Sequence, residues 1–187
     1  DCIQKKLIDK HQDPLEVASE QLIKDKIDIL HPIGGDDTNS TARDLANYIN
    51  SKGIDMTLVG IPKTIDNDIY PVKQSLGASS AAESGAIFFN NIVNENNMSP
   101  RQLIIHEVMG RNSGWLTAYT AKIYSDMLDR KKNSLENLNL GSIYNLNRFK
   151  IHALYVPEES YDFTVELERL NQTMNDIGCL NVFISEG

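Results

Sequence analysis

Cysteine is scarce in this chain: Cys2 and Cys179 are the only two among 187 residues, and no C-x-x-C spacing occurs. That excludes a disulfide framework and argues against a cysteine-built metal or redox centre. Both are read as plain thiols, Cys179 as a small buried hydrophobe at the head of an apolar run. Long hydrophobic runs are missing too. Stretches such as Leu103 to Ile105 and Ala153 to Val156 fall far below the roughly 18 residues a bilayer span needs, so no membrane association is expected. The N-terminus has no basic region followed by an apolar core and a cleavage site, which leads to a cytoplasmic expectation. Basic residues are outnumbered, 18 Lys and Arg against 26 Asp and Glu for a formal charge of −8, which argues against a bare nucleic-acid binder. The sequence opens at Asp1 rather than Met and stops at Gly187 directly after a strand-like run, as expected of a segment of a longer chain. What is there is ordinary globular composition, 41% hydrophobic and 24% charged, enough to bury a core.

The hydrophobic pattern alternates between strand and helix. Asp13-Pro14 predicts an N-cap and first helical position, with Leu15, Ala18 and Leu22 following at helical spacing. Ile27 to Ile33 predicts a strand ending in Gly34-Gly35. Ala42, Leu45, Ala46 and Ile49 then mark a helix closing at Gly53, and Met56 to Ile61 is the next strand. Such a crossover joins parallel strands. The same alternation continues through a helix on Ala82, Ala86, Phe89 and Val93, a strand over Leu103 to Val108, and a helix on Leu116, Tyr119, Thr120 and Ile123. Residues Arg130 to Lys150 read as a surface excursion with a short helical piece. Ile151 to Val156, Val165 to Ile177 and Leu180 to Ser185 then predict strand, helix and strand. Five strands and five helices in this order predict an α/β protein, a three-layer Rossmann-like open parallel sheet with helices on both faces.

Open sheets of this kind bind ligands outside the carboxyl ends of their strands, and four strand-end turns carry chemistry. Gly34-Gly35-Asp36-Asp37-Thr38-Asn39 joins glycines that let backbone N–H groups approach a ligand to two carboxylates at a helix mouth, which suits a phosphate or a metal. Helix capping by Asp is the plain alternative. Pro62-Lys63-Thr64-Ile65-Asp66-Asn67-Asp68 brings a cation and two acids together directly after a strand. If the turn is extended, Asp66 and Asp68 share a face, and their repulsion raises one carboxyl toward a value useful to a general base. Met109-Gly110-Arg111-Asn112-Ser113-Gly114 offers a guanidinium suited to bidentate phosphate recognition. Ser185-Glu186-Gly187 offers a carboxylate able to accept from sugar hydroxyls.

In that order these motifs resemble the 6-phosphofructokinase family, and within it the pyrophosphate-dependent branch. The resemblance covers essentially the whole chain. It implies transfer of a phosphoryl group to the 1-hydroxyl of fructose 6-phosphate with Mg²⁺, residues 1–72 belonging to the phosphoryl-donor subdomain and 73–187 to the sugar-phosphate subdomain. Asp66 would take the proton from the 1-hydroxyl. Thr64, Ile65, Asp66, Met109, Gly110, Arg111 and Glu186 would hold the sugar phosphate; Gly35, Asp37 and Lys63 would hold the donor. Asp37 and Lys63 would also serve the transfer itself, and Asp36, with Asp68 as a second candidate, would position Mg²⁺. ATP-using relatives typically have glycine where Asp37 stands, and many do at Lys63. The resemblance therefore implies that the Asp37 carboxylate excludes a nucleotide's α-phosphate while Lys63 pairs with it and faces the leaving phosphate. The family's glycine-rich donor loop would lie before Asp1 and its C-terminal sugar-phosphate Arg and His after Gly187. Fructose 6-phosphate and pyrophosphate are the implied partners, within a homo- or hetero-oligomer. An ATP-dependent enzyme, and a regulatory subunit or inactive fragment, are the alternatives.

Overall fold

A computed structural model of the chain describes residues 8, 9, 11–138, 140 and 145–186. Cys2 and Gly187, and parts of the Arg130–Lys150 segment, lie outside the described residues. Two compact units divide the chain, one ending at Thr64 and the other starting at Ile65. This boundary comes earlier than the 72/73 division expected from the sequence.

In the first unit α1 (Pro14–Lys24) starts as its cap predicts, Asp13 accepting from the Leu15 N–H at 2.9 Å. The first two expected strands are each cut in two. The run from Ile27 becomes β1 (Ile29–Leu30) and β2 (Ile33–Gly34). Pro32, which stands between them, has no N–H to give to a ladder. After α2 (Asp36–Ser51), the run from Met56 becomes β3 (Thr57–Leu58) and β4 (Ile61–Thr64), with Gly60 at the break. Strands β1 and β3 pair in parallel, as do β2 and β4. Ala42, Leu45 and Ile49 are the buried stripe of α2, as their spacing predicts. Ile29, Ile33 and Ile61 stand exposed.

The second unit has the full three layers. Its elements are β5 (Leu76–Gly77), α3 (Ala78–Asn96), β6 (Gln102–Val108), α4 (Trp115–Asn137), a 3₁₀ turn (Leu146–Phe149), β7 (Ala153–Tyr155), α5 (Phe163–Ile177) and β8 (Cys179–Ser185). The last strand in sequence sits in the middle of an all-parallel sheet, in the order β6-β8-β7. That position explains why every residue of β8 except Ile184 is buried, for a central strand needs apolar cover on both sides. On one face Phe89 of α3 packs edge-on against Tyr124 of α4 and Phe183 of β8, with ring centroids 4.8 and 4.5 Å away. Each such fully buried ring contributes about 1.5–3 kcal/mol relative to exposure. On the other face Leu170 and Met174 of α5 cover Ala153, Leu180 and Val182.

Where a surface excursion was expected, α4 runs on to Asn137. Its last turns carry no apolar stripe; an i,i+4 pair, Lys132–Glu136, stands there instead. Two histidines of this unit have pKa values lowered by burial. Burial among Phe88, Phe89 and Phe183 holds His106 below the usual imidazole range. His152 accepts the Asn181 N–H at Nδ1 (2.9 Å) and places Nε2 3.0 Å from the Asn147 carbonyl. Burial is the main cause of its lowered pKa, with Arg169 and Lys150 adding to it.

Candidate active site

The first unit brings together, through one parallel register, the residues expected on the donor side. Gly34 lies opposite Pro62, so the chain leaving β2 runs beside the end of β4. A Cβ placed on Gly35 would sit 3.7 Å from the Thr64 Cβ, an ordinary contact. Neither packing nor its backbone angles demand glycine at Gly35, and the bare backbone leaves room for a ligand. Asp36 and Asp37 follow in the first turn of α2, both exposed, where the helix dipole favours negative charge. Along β4 the side chains alternate, with Lys63 exposed and Thr64 half-buried. The expected Lys63–Asp37 pair is not formed. Ion pairs among the described residues join Arg43 to Asp44, Lys122 to Asp126, Lys132 to Glu136 and Arg169 to Glu166. Two exposed, fully hydrated charges gain little by pairing. Asn39 holds the turn: its Nδ2 donates to the carbonyls of Gly34 and Gly35 at 2.8 and 2.9 Å.

The second unit brings together residues expected on the sugar side. After Thr64 the chain bends at Ile65 and Asp66 and enters the left-handed region at Asn67 (φ 53°). It is therefore not extended, and the shared-face argument for Asp66 and Asp68 fails, because side chains two apart align only in extended backbone. Asp66 is half-buried and Asp68 exposed. Asn67 turns inward to brace the loop, accepting from the Ser75 N–H at 2.7 Å and donating to the Lys73 carbonyl at 3.2 Å. Ser113 Oγ donates to the Asp66 carbonyl at 3.1 Å, which ties this turn to the one after β6. There Gly110 is obligatory. Its φ is 152°, and a Cβ would come within 2.2 Å of the Ser113 carbonyl oxygen. Met109 and Arg111 flank it, both exposed, and Arg111 is left-handed at φ 46°. A non-glycine residue held there at a cost of order 1–2 kcal/mol marks a constrained site. The Glu186 N–H donates to the Val108 carbonyl at 2.8 Å, extending the β6–β8 ladder past Ser185. This brings Glu186 to the strand ends that bear Met109–Arg111. Glu158 accepts the Gly114 N–H at 2.8 Å and secures the start of α4.

Asn39, Asn67, Ser113 and Glu158 were not assigned roles from the sequence. Asn39, Asn67 and Ser113 stand inside the quoted motifs, where Asn and Ser in turns signal side-chain bonds to backbone. Glu158 carries no such signal, because its partner is 44 residues away. For a metal, no group of three His, Cys, Asp or Glu side chains occurs among the described residues. The donor set fits a cation that takes one or two protein carboxylates and completes its shell with phosphate oxygens, the habit of Mg²⁺.

Parallel strands alternating with helices in each unit, with charged turns following the strands, define an α/β protein. Residues 3–125 match the model of the phosphofructokinase family, and the chain belongs to it. Over all 187 residues it is 50% identical to the pyrophosphate--fructose 6-phosphate 1-phosphotransferase of Methylomonas methanica. It spans 44% of that relative's length. An ATP-dependent 6-phosphofructokinase from Amycolatopsis methanolica matches 54% of the chain at 37% identity, and this chain covers 22% of it. Among solved structures, the pyrophosphate-dependent phosphofructokinase of Marinobacter aquaeolei superposes with a TM-score of 0.70 at 25% identity, covering 92% of this chain and 40% of that one.

Proposed function

We propose that this chain is part of an enzyme that moves a phosphoryl group from pyrophosphate to the 1-hydroxyl of fructose 6-phosphate, giving fructose 1,6-bisphosphate. The observation that carries the reading is the donor turn: an Asp36-Asp37 pair at the mouth of α2, beside the β4 end that bears Lys63 and Thr64. Relatives named for pyrophosphate match the chain over its full length at 50% identity, which supports the same donor. Asp37 places volume and negative charge where a nucleotide's α-phosphate would lie, so ATP is disfavoured by clash and repulsion. Lys63, exposed and outside the ion pairs found among the described residues, is available to the charge that develops on the leaving phosphate.

Asp66 takes the proton from the sugar hydroxyl, and Arg111, Met109, Gly110 and Glu186 hold the sugar phosphate with Thr64 and Ile65. Phosphoryl transfer asks a protein mainly for in-line positioning and for cations around the equatorial oxygens, and both halves consist of such groups. Asp36 would hold Mg²⁺ on the donor, with Asp68 the second candidate. When bound, the ion would neutralise phosphate charge on the donor. A cytoplasmic setting and assembly into an oligomer belong to the same reading and rest on family membership.

The test is a donor comparison on the full-length protein, following fructose 1,6-bisphosphate formation with pyrophosphate and with ATP. Pyrophosphate should support turnover at least about 10²-fold faster, the scale of one such electrostatic contact. Equal or greater rates with ATP would sink the donor assignment.

A further inference from the structure

Three segments of the candidate site meet at Ser113. Its Oγ donates to the Asp66 main-chain oxygen at 3.1 Å, in a half-buried setting. Its N–H donates to the Gly110 carbonyl at 2.8 Å. Its own carbonyl faces Ser185 Oγ at 3.5 Å, one residue before Glu186. Asp66 lies two residues beyond the end of β4, where a strand ladder no longer dictates the path of the chain. The next residue, Asn67, is left-handed, so the main chain at Asp66 lies in a short bent stretch whose path its tethers help to fix.

We propose, on the reading that Asp66 is the base, that Ser113 is a positioning residue for the phosphoryl transfer. Its hydroxyl sets the Asp66 turn against the Met109–Gly110–Arg111 turn. The sugar must be gripped by one turn while its 1-hydroxyl is presented to a carboxylate on the other, so the spacing between the two turns is a catalytic variable. A hydroxyl on the short, stiff turn Gly110–Ser113 fixes that spacing without touching substrate. The arrangement also accounts for Gly110, since any side chain there would drive into the Ser113 carbonyl, 2.2 Å from the Cβ position, and displace the tether. Loss of the hydroxyl therefore acts on the chemical step more than on sugar binding. Misplacement of about 1 Å at such a distance from the chemistry costs up to about 10²-fold, and one lost neutral hydrogen bond about 3- to 10-fold.

The experiment compares full-length wild type, Ser113→Ala, Ser113→Thr, Asp66→Asn and the double variant Asp66→Asn/Ser113→Ala in steady-state assays that vary fructose 6-phosphate. Ser113→Ala should lower kcat about 3- to 10-fold, with KM for fructose 6-phosphate changed by less than about twofold. Ser113→Thr keeps the hydroxyl and should recover most of the loss. In the Asp66→Asn background the Ala substitution should change the residual rate by less than about 1.5-fold, because it acts through Asp66. The proposal falls if Ser113→Ala leaves kcat unchanged, if Thr is as impaired as Ala, or if the two substitutions multiply. Those results leave the base assignment standing. An Asp66→Asn enzyme with kcat within about threefold of wild type would instead overturn Asp66 as the base, and the positioning role with it. Should Ser113→Ala fail to fold, Ser113→Cys, with a weaker donor on the same stem, takes its place in every comparison.

Discussion

Replacing Gly110 by alanine should damage the turn that bears Met109 and Arg111. Two costs are visible in the structure. The backbone there has φ 152°, a conformation essentially reserved for glycine and worth about 1–3 kcal/mol of strain in other residues. The added Cβ would also stand 2.2 Å from the Ser113 carbonyl oxygen, so that oxygen must retreat by roughly 1 Å, and with it goes the Ser113 N–H to Gly110 bond, itself about 1 kcal/mol. The total is about 2–4 kcal/mol, or a fall in melting temperature of roughly 5–15 °C for a unit of this size. Gly53→Ala is the matched control: its φ is 65° with nothing within 4 Å of the new Cβ, so it bears only the left-handed penalty of about 1–2 kcal/mol. In the full-length protein, thermal unfolding followed by circular dichroism reads stability, and kcat/KM for fructose 6-phosphate reads the site. Gly110→Ala should lose at least about tenfold in kcat/KM while Gly53→Ala keeps its activity. Equal melting temperatures for the two variants, with unchanged kcat/KM in both, would refute the close-contact account of this turn.

Asp37→Gly should raise the ratio of ATP-driven to pyrophosphate-driven turnover by about tenfold or more, measured with saturating sugar phosphate. Because Lys63 is not paired to Asp37, the pyrophosphate rate itself should fall only a few-fold, and an unchanged ratio would discard the steric reading of donor choice. Arg111→Gly should do two opposite things: relieve the left-handed penalty at φ 46°, stabilising the fold by about 1 kcal/mol, and raise KM for fructose 6-phosphate more than that for pyrophosphate. A variant with lower stability and unaltered KM would show that Arg111 does neither. Stability should also decline on acidification. His106 and His152 both have lowered folded pKa values, so below about pH 6.5 the unfolded chain binds protons that the folded one refuses. The stabilisation is complete above that pH and is lost as pH falls toward the folded values, with a slope of up to about 1.4 kcal/mol per pH unit for each histidine. Denaturant titrations between pH 5 and 7.5 should show the slope shrink in His152→Gln, and an unchanged slope would mean that His152 is not held neutral.

Local patterns carried much of this molecule. Ala42, Leu45 and Ile49, or Ala82, Ala86, Phe89 and Val93, fall on one helical face wherever the helix is placed, and their burial follows from the 3.6-residue period alone. Asp13-Pro14 and Gly178 mark helix ends through hydrogen bonds and backbone angles that involve only near neighbours. The motif turns were legible for the same reason, each lying directly after an apolar run. Other features depend on partners far away in sequence. That β8 lies between β6 and β7 is a matter of long-range pairing, and the strand breaks at Pro32 and Gly60 divide runs whose apolar pattern looks continuous. The bend through Ile65, Asp66 and Asn67 cancelled an alternation that extended backbone would have obeyed, and Lys63 and Asp37 do not pair. Ser113 reaches Asp66 across 47 residues, and Ser185 reaches Ser113 across 72. Periodicity reports which side of an element is apolar; only the folded chain decides which turns come within hydrogen-bonding distance, because that distance is set by packing summed over every element between them.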